Sequence, residues 1–178
     1  KTKFSRMERQ KSEGVLTPPE FHPEVKVRKK DTEQAHLCIS FPGYEVGHPD
    51  VYPLILMNNI LGGSMSSRLF QEVREERGLA YSVFSYHSSY RDSGLFTIYA
   101  GTAPKQLEEV TQVITDTLAK LKSKGISEEE LKKGKEQLKG SLMLSLESTN
   151  SRMSRLGKNE LLLSKHLTLD EIIERVNH

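Results

Sequence analysis

Apolar and polar residues alternate at Val25 and Val27, and again at Leu37, Ile39 and Phe41, on either side of the polar run KKDTE. The pattern predicts two antiparallel strands joined by a polar turn. Gly43 and Gly47 then release the chain into HPDVYPLILMNNILGG, where Val51, Leu54 and Ile55 share a helical face, Pro53 suits a first turn and Gly62-Gly63 marks the stop. A second helix is predicted over about Ser66 to Glu76. It leads into two strands, AYSVFSYHSSY and GLFTIYAG, joined by the turn residues RDSG as a hairpin.

Beyond Gly101 the period changes to that of helices. Leu107, Val110, Ile114, Leu118 and Leu121 follow three-four spacing behind Pro104. Ser127 with Glu130 forms a capping box before Leu131, Leu138, Leu142 and Leu146. Met153, Leu156, Leu161 and Leu163 mark another helix, and Thr168 with Glu171 caps a last one through Ile172 and Val176. Strands gathered early and helices late imply an α+β fold, an antiparallel sheet with helices packed on one face. Residues 1–20, ending in the breaker TPPE, read as a flexible interdomain linker, and residues 21–178 as a single α+β domain. Both chain ends look trimmed: KTKFSRMERQ reads like the interior of a longer chain, and the last helix stops at His178.

Composition narrows the function mainly by exclusion. The 178 residues carry 26 Lys+Arg against 24 Asp+Glu, with the signs interleaved, so no polyelectrolyte attraction to nucleic acid or a membrane surface is implied. No apolar run approaches the roughly 20 residues of a membrane span. The lone Cys38, within the alternating AHLCISF, rules out an internal disulfide and is expected to be a small buried thiol. The six histidines never fall three or four residues apart, so no helix offers two imidazoles to one metal. There is no G-x-S-x-G elbow, and LGGSMSSR lacks the phosphate-loop lysine and follows a helix.

One stretch remains, LGGSMSSRLFQEVREERGLAYSV at Leu61 to Val83. It resembles the signature of the second half of pitrilysin-type zinc metallopeptidases, which include the mitochondrial processing peptidases and insulin-degrading enzymes, and is most similar to the processing-peptidase branch. The resemblance extends more weakly from about Phe21 to the C-terminus. Members have two similar halves, and the zinc motif H-x-x-E-H sits in the first. That motif is absent here, so the chain resembles the half that binds no metal and encloses the peptide chamber.

The resemblance implies a zinc metalloendopeptidase acting on peptides or presequence-like segments, with Zn2+ held by an N-terminal catalytic half, in the same chain or a separate subunit. The chain alone is then expected to be inactive. The family also brings an arginine and, seven residues on, a tyrosine to the substrate. Those positions are Arg74 and Tyr81. A helix end, a turn at Gly78 and a strand start could make both converge, and a guanidinium and a phenol suit the charge that grows on a carbonyl oxygen under attack. The plainer alternative pairs Arg74 with Glu72 or Glu75 on a wet helix and leaves Tyr81 at a strand end; Arg77 is a competing arginine. A family homologue without zinc, serving as scaffold or assembly subunit, is the alternative function. A homodimer is compatible with either. The expected compartment is the cytoplasm, with the mitochondrial matrix also open.

Overall fold

The structure is a computed structural model and describes residues 17–177. Three antiparallel strands, β1 (Ala35–Pro42), β2 (Ala80–Ser89) and β3 (Gly94–Thr102), form one sheet in the order β1-β3-β2. Helices α1 (Val51–Leu61), α2 (Leu107–Lys124), α3 (Glu128–Ser145), α4 (Thr149–Leu163) and α5 (Leu169–Asn177) follow the expected order. Between α1 and β2 lies a π-helical segment, Phe70–Glu75.

Strand alternation determines which face is covered. Register pairs Leu37 with Ala100 and Ile39 with Ile98, and these residues face the helices. Ile98 and Ala100 are fully buried there with Leu61 of α1, Leu69 and Val73 beside the π turn, and Val110 and Ile114 of α2. Fully burying side chains of this size contributes about 1.5–3 kcal/mol each, so this layer dominates the domain's stability. The predicted fold class is therefore present, with the helices on one side of a small sheet.

Several expectations are corrected. No strand forms over Val25 and Val27: residues 17–34 are exposed, and Val25 and Val27 are 90% and 80% accessible. The run KKDTE has no glycine or asparagine to supply the left-handed residues of a tight hairpin turn. Residues 1–16 of the expected linker lie outside the described residues. Cys38 is exposed, because the alternation that turns Leu37 and Ile39 inward turns Cys38 to the open face opposite Tyr99.

The predicted helix at Ser66–Glu76 is helical only from Arg68, and π-helical from Phe70. The apolar stripes of α3 and α4 are only partly used. Gly134 is the buried residue of α3, where the helix approaches Leu56 and Ile60 of α1; none of α4 is buried. Leu144, Met153, Leu156 and Leu161 stay exposed, since no described element packs over that side.

Both predicted capping boxes form. The Ser127 hydroxyl accepts from Glu130 N while Glu130 accepts from Ser127 N, and Thr168 and Glu171 repeat the exchange. The LGG stop is explained by packing: Gly62 and Gly63 both donate to Asn58 O, and Ser85 N of β2 donates to Gly62 O at 3.0 Å. A Cβ at Gly62 would lie 2.6 Å from Ser85 N, so this glycine lets a helix end touch a strand.

Candidate functional site

Leu69 and Val73 are fully buried, which anchors the π turn to the core and leaves the residues between them free to face outward. The wider turn is evident in Glu76 N donating to Gln71 O five residues back. Its exit is closed by Gly78 N to Arg74 O and Leu79 N to Val73 O, a Schellman-like pair in which each bond is one residue wider than usual. Gly78 has φ +59, the left-handed conformation such a closure requires.

Glu72 faces α2, where it accepts hydrogen bonds from the Thr117 hydroxyl at 3.1 Å and Lys120 Nζ at 3.3 Å. It is thereby withdrawn from Arg74. Arg68 forms a bidentate pair with Glu130, at 2.7 and 2.8 Å, and also donates to Gly125 O. This pair ties the start of the helical segment to the start of α3. It also holds the Glu130 carboxyl down at about 2, chiefly through the Arg68 hydrogen bonds.

Strand β2 begins at Ala80, as the run AYSVFSYHSSY implied, and Tyr81 is the extra residue of a bulge: Ala80 pairs with Thr102 and Ser82 with Gly101. The Thr102 hydroxyl donates to Leu79 O across the same point. Bulges re-aim side chains at sheet edges. Here Ala80 and Val83 point inward, while Tyr81 is 78% exposed.

The two candidates meet. The Arg74 guanidinium carbon lies 5.8 Å from the Tyr81 ring centre and 4.8 Å from that of Phe70. Arg74 also approaches Glu75, at 3.8 Å, yet its side chain stays 43% exposed. The ion pair expected on the plainer reading is thus present with Glu75, without removing Arg74 from solvent. Arg77 is exposed in the turn that follows. Phe70, which the sequence did not single out, could have been found from its four-residue spacing to Arg74. Tyr81 also borders an open pocket of about 310 Å³ whose other walls include Glu33, Gln34, Gly78, Thr102 and Gln106.

A second cleft, of about 280 Å³, lies among Phe41, Leu54, Met57, Phe96, Leu118 and Leu121. It is apolar and offers no group for chemistry. Among the described residues, no three His, Cys, Asp or Glu side chains come close enough to hold a metal ion. A catalytic zinc needs three protein ligands, so the described residues do not fit one.

The family described as "Peptidase M16 inactive domain" matches residues 1–138. An uncharacterized zinc protease of Bacillus subtilis, YmxG, is 67% identical over 162 residues, covering 91% of this chain and 40% of that protein. An uncharacterized zinc protease of Streptomyces coelicolor is 41% identical over 152 residues, covering 85% and 33%. The chain thus spans about two fifths or less of these curated relatives. Among solved structures, a peptidase M16 inactive domain from Pseudomonas fluorescens superposes with a TM-score of 0.70 at 28% identity, covering 82% of this chain and 34% of that one. Matched over most of its length and sharing this architecture, the chain belongs to the peptidase M16 family, as its inactive domain.

Proposed function

We propose that this chain is the substrate-contacting half of a zinc metalloendopeptidase, and that its metal is bound in the part of the protein outside this chain. The observation that carries the reading is the meeting of Arg74 and Tyr81, both exposed, at a bulged strand start beside an open pocket. Each element that delivers them is fixed by buried neighbours, so the donors are aimed before substrate arrives.

A peptide carbonyl laid across this rim would accept from the Tyr81 hydroxyl, and the Arg74 guanidinium would donate to the same or the adjacent oxygen. Both groups carry hydrogen-bond donors, and neither must give up its proton to stabilise charge on oxygen. Supplying them from a separate half makes turnover depend on closure of the two parts around the peptide. Unfolded or presequence-like segments are the substrates this arrangement suits, because an extended chain exposes its carbonyls.

The test is peptide cleavage by the complete protein carrying Tyr81→Phe or Arg74→Gln. Loss of a preorganised donor lowers turnover on the order of 10²-fold. Thermal stability should hardly change, since neither side chain is in the core. Unchanged turnover in both variants removes the pair from the mechanism; a folded wild-type protein that cleaves no peptide favours the scaffold role.

A further inference from the structure

We propose that Thr102 is a positioning residue for Tyr81: its hydroxyl pins the carbonyl of Leu79 and so fixes the bulge that aims the tyrosine outward. The inference rests on the reading of Arg74 and Tyr81 as substrate contacts.

Strand alternation places Thr102 on the covered face of β3, in line with Phe96, Ile98 and Ala100. Those three are apolar and buried, and Thr102 is buried with them. A valine would have nearly the same shape and would continue the apolar stripe, so packing alone does not explain the hydroxyl. Its hydrogen-bond partner does. The hydroxyl donates to Leu79 O, the carbonyl of a residue that is itself buried. A carbonyl withdrawn from water needs a donor, and leaving it without one is costly.

Leu79 is held from the other side as well. Its N–H donates to Val73 O, and the preceding Gly78 N donates to Arg74 O. One residue is therefore tied both to the π turn that carries Arg74 and, through Thr102, to the last residue of β3. Tyr81 follows two positions on, as the extra residue of the bulge. Its side chain is largely exposed, so packing does little to hold the ring, and the direction of the phenol is set by the backbone at the bulge. A bulge bends its strand locally, and the clamp on Leu79 fixes the point from which this bend starts. Misplacing a reacting group by about 1 Å costs on the order of 10²-fold in rate, so a pin two residues from the phenol has a large effect on turnover without touching the substrate.

Peptide cleavage by the full-length protein tests this, with Thr102→Val and Thr102→Ser made in the wild type and in a Tyr81→Phe background. Thr102→Val keeps the shape and removes the donor. It should lower kcat on the order of 10-fold or more while KM changes little. Thr102→Ser should keep most of the turnover, and Thr102→Val should add little once Tyr81 is phenylalanine. In protein labelled at tyrosine, the Tyr81 ring resonances should shift in Thr102→Val and stay in place in Thr102→Ser. Turnover lowered by Tyr81→Phe but not by Thr102→Val overturns the proposal and leaves the reading of the site standing. Equal losses in Thr102→Val and Thr102→Ser, or Tyr81 resonances that do not move, also overturn it, since the residue would then act through packing. Turnover unaffected by Tyr81→Phe overturns the reading of the site, and the catalytic role of Thr102 with it.

Discussion

The guanidinium of Arg74 stacks on Phe70, four residues before it in the π turn, with 4.8 Å between guanidinium carbon and ring centre. The Tyr81 ring centre lies 5.8 Å from the same carbon. A cationic group over an aromatic face gains about 0.5–1 kcal/mol at an exposed site, and here the gain is also positional. Phe70 holds a long, flexible side chain where Tyr81 can share its target. Phe70→Ala in the complete protein is therefore expected to lower turnover about two- to five-fold, and Phe70→Tyr to restore it. In an Arg74→Gln background, Phe70→Ala should add nothing further. An equal loss in both backgrounds would mean that Phe70 acts on packing instead of through Arg74.

Two glycines in the motif should respond to alanine for different reasons. At Gly62 a new Cβ would meet Ser85 N and Oγ at 2.6 Å, so the end of α1 must move off β2. Overpacking of this kind costs about 1–3 kcal/mol. At Gly78 nothing lies within 4 Å of the added methyl, and only the φ of +59 resists it. That costs about 1–2 kcal/mol for alanine and less for asparagine, which tolerates the left-handed region. Urea unfolding of the Gly62→Ala, Gly78→Ala and Gly78→Asn variants checks this. Asparagine should recover stability relative to alanine at Gly78; if it does not, conformation is not what holds that position.

The elements legible in the sequence were those whose signals are local. Capping residues at Ser127 and Thr168, the glycine stop after α1 and the RDSG turn each fix an element within a few residues, and all appear as read. What was misread depends on partners distant in sequence. Cys38 looked buried because its strand is alternating and apolar, but the side it faces is decided by the pairing of Leu37 and Ile39 with β3. The Val25–Val27 pattern is strand-like, yet no strand forms there, because alternation alone does not supply a neighbouring strand to pair with. At the site, Tyr81 follows Arg74 by seven positions whether the intervening turn is α or π. The widened turn and the bulge bring them together, and neither has a sequence signature of its own.

Arg68 and Glu130 give a stability prediction with a definite sign. Their bidentate pair is mostly shielded, with side chains 20% and 33% accessible, and Glu130 also receives the Ser127 amide at the cap of α3. The carboxyl is lowered from 4.5 to about 2 in the folded chain, so folding favours its ionised form. The contribution is complete above pH 4.5, declines as pH falls toward 2, and is absent below that. Glu130→Gln should therefore destabilise the chain at pH 7, by about 1.5–3 kcal/mol as for hydrogen bonds to charged groups. The deficit should shrink steadily between pH 4.5 and 2, because only the wild type loses an ionised partner there. Chemical unfolding of both proteins at pH 7, 4 and 2.5 measures the difference. Stability curves that stay parallel across that range would show that Glu130 ionises alike in the folded and unfolded states, and that the latch between the helical segment and α3 contributes nothing electrostatic.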